Sequence, residues 1–384
     1  MGVRMSLSKQ KFRTVLLCFT VIFFGTGILI QPEAVSGGVS SGLFLCLHTL
    51  IPATFPFVVL SALCVHSGAS RRLGMLFAPL TRLLFRLPGC CGIVILLSWL
   101  GGYPAGVRGI VSLFSQKEIS KEQAQRMLWF CVGAGPSFTV SVIGTGMCGN
   151  PSFGIMLFLS QTIALFCMGV VSGIGKSTAR SEVQTKPRET PKFSTALVLS
   201  AEDGAKSTTH LCCFVTLFTA AMEVWNRFGF LQIFSRIFRF FRCPPAVSDS
   251  VFPLLWEITS GTRFACSAGI PPTVLCFFTA LGGVCVWMQI FAAAVPLRIS
   301  IWRFVLSRLC HGGLSALFFC LIRPLFPMAI SSEQVFSNTT EMLEKSISLS
   351  GETPVFSILC GSALLALCVV FLICSKGDPL EKFR

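Results

Sequence analysis

Charge is what this 384-residue chain has least of: only 12% of its residues are Asp, Glu, Lys or Arg, where a soluble domain carries about 25%. Together with 53% hydrophobic residues and a mean hydropathy of +0.76, the deficit excludes an ordinary soluble protein and calls for many membrane spans. Acidic residues are scarcer than basic ones, 16 against 31, for a net charge of +15. The basic residues fall in short segments between apolar runs, as the positive-inside rule expects. No soluble segment carries a basic stripe with interleaved aromatics, so nucleic acid is not an expected partner.

The chain also lacks HExxH, a P-loop ending in Lys-Ser/Thr and paired intramembrane aspartates, so no enzyme is expected. It has four His, scattered singly, and no CxxC among its 19 Cys, which lie nearly all within apolar runs. Such cysteines behave as small hydrophobes, and neither a disulfide framework, a metal site nor a cofactor is expected.

What is present is a series of apolar runs of about 20 residues, each long enough to cross a bilayer. The first, 13–31, follows Arg4, Lys9, Lys11 and Arg13 and reads as a retained span with its N-terminus in the cytoplasm. A second, 39–65, should bend at Pro52 and Pro56, and it leads into a basic loop with Arg71, Arg72, Arg82 and Arg86. Residues 90–114 are apolar, yet the following SQKEISKEQAQR, with Ser115 or Ser120 as a helix cap, is basic and wants the cytoplasm. Both segments stay on their proper side only if 90–114 dips into the membrane and returns. Next come a broken span at 127–146, an ordinary span at 153–174, a polar linker at 175–192 and a short surface helix at 193–206. The second half repeats the plan: a span at 210–234, an interrupted segment at 252–268, a broken span at 273–297, and spans at 304–328 and 354–374.

The expected architecture is therefore an all-α polytopic membrane protein with about eight transmembrane helices plus two re-entrant hairpins, 90–114 and 252–268, in an inverted repeat. Its divisions are an N-terminal anchor at 1–38, a first repeat at 39–174, a cytoplasmic linker and surface helix at 175–208, a second repeat at 209–330, and an outer loop with a C-terminal transmembrane helix at 331–384. One loop, with Arg236, Arg239 and Arg242, falls outside against the charge rule; the overall bias outvotes it.

The two interrupted segments carry the chemistry. The first reads WLGGYPAGVRGI over 99–110 and holds Tyr103, the only tyrosine; the second reads WEITSGTRF over 256–264. Each opens on a Trp and closes on Gly-x-Arg, at Arg108 and Arg263, and each precedes a glycine-broken helix, at Gly133-Ala134-Gly135-Pro136-Ser137 and at Gly282-Gly283. Paired interruptions in corresponding positions mark the substrate site of transporters built from inverted repeats. Small residues also serve simply to let helices pack closely, and an arginine near a helix end can snorkel to the interface. Arg108 and Arg263 facing one another would grip a ligand with two carboxylates, and amides at the two broken helices would add positive dipole ends. Glu257 either pairs with one arginine or carries a coupling proton; Tyr103 and Trp256 either stack on a flat ring or simply pack. The expected substrate-binding residues are Gly102, Tyr103, Pro104, Gly106, Arg108, Gly135, Pro136, Ser137, Glu257, Thr259, Ser260, Gly261, Arg263, Gly282, Gly283 and Gln289.

The runs RLLFRLPGCCGIVILLSWLGGYPAGVR and WFCVGAGPSF, with EITSG and GGVCVWMQ further on, resemble the sporulation integral membrane protein YlbJ (SpoVV) family with its nucleoside-recognition (Gate) domain. The resemblance covers most of 39–330. It implies a fold like that of concentrative nucleoside transporters, and a role in moving dipicolinate from the mother cell toward the forespore across the outer forespore membrane. Dipicolinate is a flat ring with two carboxylates. The expected partners are thus a small organic anion and the lipid bilayer, with a homo-oligomer or other sporulation membrane proteins left open. The alternatives are a non-transporting membrane protein of spore-envelope assembly and a nucleoside transporter.

Overall fold

The computed structural model describes residues 25–27, 29–67, 69–176 and 192–326. Most of the expected span 13–31, residues 177–191 of the linker, and the outer loop and last span at 331–384 lie outside the described residues.

Among the described residues every regular element is helical. Helix α1, Pro32–His66, is one stretch of 35 residues. It passes Pro52 and Pro56 by widening to π-helical turns at Cys46–Leu50, a usual way to absorb a missing donor inside a helix. Thr54 Oγ1 then donates to the Leu50 carbonyl at 2.7 Å. The expected basic loop after it is instead helical: α2, Ala69–Leu80, runs on through Thr81–Phe85. Arg86, in the left-handed region at φ 51°, stops it.

Cys91–Ser115, α3, leaves helical geometry at Gly102 (φ 74°, ψ −172°). A Cβ on Gly109 would lie 2.7 Å from Val94 Cγ1, and one on Gly106 2.7 Å from Ser98 Cβ. In a straight helix Val94 and Gly109 would be about 22 Å apart. The two arms therefore fold back on each other about Gly102. The second interrupted segment does the same about Glu257, between α9, Pro245–Trp256, and α10, Ile258–Ser267. It begins earlier than the expected 252–268 because Pro245 occupies the first helical turn, where its missing N–H costs nothing.

Each hairpin is followed by a broken helix. Lys121–Met127, α4, and Ser137–Met147, α5, flank the break at 132–136, and Ser120, not Ser115, caps the first in a capping box with Gln123. Pro272–Leu281, α11, and Val284–Ala293, α12, flank Gly282-Gly283. Each half closes on a long helix, α6, Pro151–Gly173, and α13, Ile301–Ile322. The expected surface helix 193–206 and span 210–234 are a single helix instead, α7, Phe193–Arg227, followed by a separate amphipathic helix, α8, Phe230–Phe240. Nothing interrupts α7 because its one glycine, Gly204, faces Val59 and serves close packing.

Left-handed residues mark the repeat: Arg86 and Arg242 before the hairpins, Lys117 and Gly269 after them, Gly149 and Arg298 after the broken helices. The halves run in opposite directions. Gly38 meets Ala220 and Gly42 meets Thr216, so α1 and α7, equivalent helices, are antiparallel. Phe153 packs on Phe319 at 6.1 Å while His311 reaches the Gln161 carbonyl at 3.2 Å, so α6 and α13 are antiparallel too. Six stretches among the described residues are long and apolar enough to cross a membrane: Pro32–His66, Cys91–Ser115, Pro151–Gly173, Phe193–Arg227, Pro272–Ala293 and Ile301–Leu325.

Candidate functional site

All four helix interruptions converge on one cavity of about 950 Å³, counting the space at its mouth. Gly101 to Pro104 and Glu257 to Thr259 bring the two hairpin tips to it, and Val132 to Gly135 and Thr279 to Gly282 bring the two broken helices. Within each half the two interruptions touch through backbone alone. A Cβ on Gly135 would lie 2.9 Å from the Leu100 oxygen and 3.0 Å from the Gly102 nitrogen, and one on Gly283 3.0 Å from the Ile258 nitrogen. Only glycine fits at such approaches.

Glu257 is buried, 1% exposed. Its carboxylate accepts from the Thr259 and Ser260 amides at 2.9 and 2.6 Å and from Ser260 Oγ at 2.7 Å. It caps α10 and, among the described residues, forms no ion pair, so pairing with Arg108 or Arg263 is ruled out. Losing this cap in Glu257→Ala should cost about 1–2 kcal/mol, with Glu257→Gln, which keeps one acceptor oxygen, costing less; thermal unfolding of the two purified variants measures the order. Tyr103 donates from its hydroxyl to Gln289 Oε1 at 2.9 Å, linking the first hairpin to the second broken helix.

Of the residues expected to bind substrate, Gly102, Tyr103, Pro104, Gly135, Ser137, Glu257, Thr259, Gly282 and Gln289 line the cavity. Gly106, Pro136, Ser260, Gly261 and Gly283 stand next to it and support the lining. Arg108 and Arg263 do not line it, and the expected facing pair of guanidinium forks is absent. The reason is helical rise: both arginines lie six residues beyond their tips, about 9 Å back along the returning arm. Arg108 is exposed and donates to Ser207 Oγ and to the Pro104 carbonyl, the latter at 3.3 Å. Trp256 does not reach the cavity either; it packs on Trp225 and Phe218 with ring centroids 4.3 and 4.8 Å away, and its Nε1 donates to the Phe218 carbonyl.

The cation that does line the cavity is Arg308 on α13, 2% exposed. Its guanidinium donates to the Trp129 and Val132 carbonyls, which end the first arm of the first broken helix, and to Ser307 Oγ at 3.5 Å. One turn on, His311 Nδ1 stands 2.9 Å from the Ala280 carbonyl, which ends the first arm of the second broken helix. One helix thus holds both breaks. The sequence carried a signal for this, an arginine inside the apolar stretch IWRFVLSRLCHGG, since ionisable residues at membrane depth are expensive and usually functional. No disulfide joins the fifteen described cysteines, and buried ones such as Cys148 and Cys266, 3.5 Å apart, pack in the core.

An all-helical polytopic membrane protein, with two antiparallel halves meeting at one cavity, is the class these features define. The chain is similar to the sporulation integral membrane protein YlbJ of Bacillus subtilis (strain 168), 25% identical over 351 residues, which cover 83% of this chain and 85% of that protein. A match of that extent spans both halves of the chain. No model of a known protein family matches it, and no solved structure does.

Proposed function

We propose that the protein is a transporter of a small organic anion, with dipicolinate, moved toward the forespore during sporulation, as the substrate. The observation that carries this reading is the single cavity where four helix interruptions from two reversed halves converge. Non-helical backbone at membrane depth is tolerated where it lines such a cavity, and substrates of inverted-repeat transporters bind there. In this reading the two hairpins re-enter the membrane as in concentrative nucleoside transporters, and the spans at 13–31 and 354–374 bring the crossings to about eight.

Preference for an anion follows from the lining. Helices α5 and α12 start at the cavity with no side-chain cap, so their positive dipole ends face it; the Phe138 and Thr139 amides of α5 already bond the Gly135 carbonyl, which leaves the start of α12 the more open to a carboxylate. Arg308 keeps two of its five N–H donors after its three hydrogen bonds. Tyr103 and Trp287 supply aromatic surface for a flat ring. The name of the Bacillus subtilis relative supports the sporulation setting.

Dipicolinate content of spores from a deletion strain, with and without the complementing gene, tests the reading. Loss on deletion and recovery on complementation are expected, and unchanged content in the deletion strain would refute it. Gln289→Ala, which unlinks Tyr103, should fold and restore dipicolinate only partly, by about tenfold less than the wild type if one such contact positions substrate.

A further inference from the structure

A second cavity, of about 750 Å³ with its mouth, lies between α4, the end of α6 and the start of α13. Three cations, Arg126, Lys176 and Arg303, line it against one carboxylate, Glu122. Lys176 and Glu122 pair at 2.7 Å, which leaves the two arginines uncompensated. Arg126 is 7% exposed; one of its amino groups donates to the Phe85 carbonyl, and its Nε has no hydrogen-bond partner. Arg303 is exposed and has no carboxylate partner among the described residues.

The same cavity receives the start of α13. Ser300 stands at its N-cap position without capping it, so this 22-residue helix presents open amides and its positive dipole end beside the two guanidiniums. A helix start, two arginines and a hydroxyl around one space match the oxygens of a phosphate. Outward from the mouth α13 exposes Ile301, Trp302, Leu306 and Leu309, at 65%, 74%, 52% and 45%, a face suited to acyl chains below a belt tryptophan.

We propose that this cavity is a binding site for a phosphate-bearing anion, gripped by Arg126, Arg303 and the N-terminus of α13. The phosphate is either the headgroup of an anionic phospholipid or a free phosphate, and the experiment separates the two. Thermal unfolding of the purified full chain in detergent is followed with phosphatidylglycerol, with phosphatidylcholine, and with inorganic phosphate. At about 100-fold excess over its Kd a true ligand should raise Tm by about 3 °C. A rise with phosphatidylglycerol alone assigns a lipid headgroup, and a rise with inorganic phosphate assigns the free anion. Arg303→Ala, on an exposed helix start, should fold normally and need about tenfold more of the effective probe, and Arg303→Glu should abolish the response. No rise with either anion, an equal rise with phosphatidylcholine, or an unchanged response in both variants would overturn the proposal.

Discussion

Gly106→Ala and Gly261→Ala should each leave little or no folded protein. These glycines sit at matched places, one helical turn past the tips of the two hairpins. A Cβ on Gly106 would fall on the Cys131 carbonyl oxygen, and one on Gly261 would lie 2.5 Å from the Pro253 carbonyl carbon and oxygen. In both cases the obstacle is buried backbone, that of the break after α4 for Gly106 and that of α9 for Gly261, which cannot rotate away as a side chain can. Overpacking costs roughly 1–3 kcal/mol where neighbours can adjust, and more where they cannot, against a total stability of about 5–15 kcal/mol. Gly313→Ala is the control, because nothing stands within 4 Å of its added methyl. Monodisperse yield after detergent extraction measures the effect. Wild-type yield for Gly106→Ala or Gly261→Ala would show that the arms do not pack as described.

The second large effect belongs to Arg308. In Arg308→Ala the Trp129 and Val132 carbonyls lose their donors inside the membrane, at about 1–3 kcal/mol each, and the cavity loses its cation. Arg308→Lys separates the two consequences. The ammonium keeps the charge and still donates to one carbonyl, so the protein should fold, but it lacks the planar fork that grips a carboxylate bidentately. Spores carrying Arg308→Lys should therefore hold at least about tenfold less dipicolinate, while those carrying Arg108→Ala, whose side chain lies on the returning arm and does not line the cavity, should stay near the wild-type level. Normal dipicolinate in Arg308→Lys spores, or its loss in Arg108→Ala spores, would return the anion site to the arginines at the hairpins.

Much of this was legible in the chain before any coordinates. Glycine and proline placement announced three of the four interruptions, because those residues break helices by their own covalent structure, while the fourth, at Glu257, was marked by a polar run in an apolar segment. The equivalence of the Gly-x-Arg ends was legible too: Gly106 and Gly261 stand at the same distance past their tips, as do Arg108 and Arg263. The equivalence of the two tryptophans was misleading, since Trp256 adjoins its tip while Trp99 lies three residues before Gly102. The extent of α2 and α7 was also not legible, because Arg71 and Arg72 read as a loop and the polar run around Ser207 to Thr209 read as a break between a surface helix and a span, where the backbone is continuous helix.

Sequence by itself determined that this is a membrane protein of two similar halves with broken helices in matching places, since hydropathy and backbone-breaking residues act locally. Only the tertiary structure decided which charge meets the cavity. The direction of a side chain at a hairpin depends on helical rise and on how the arms pack, and these withdraw Arg108 and Arg263 while a separate helix, far along the chain, delivers Arg308.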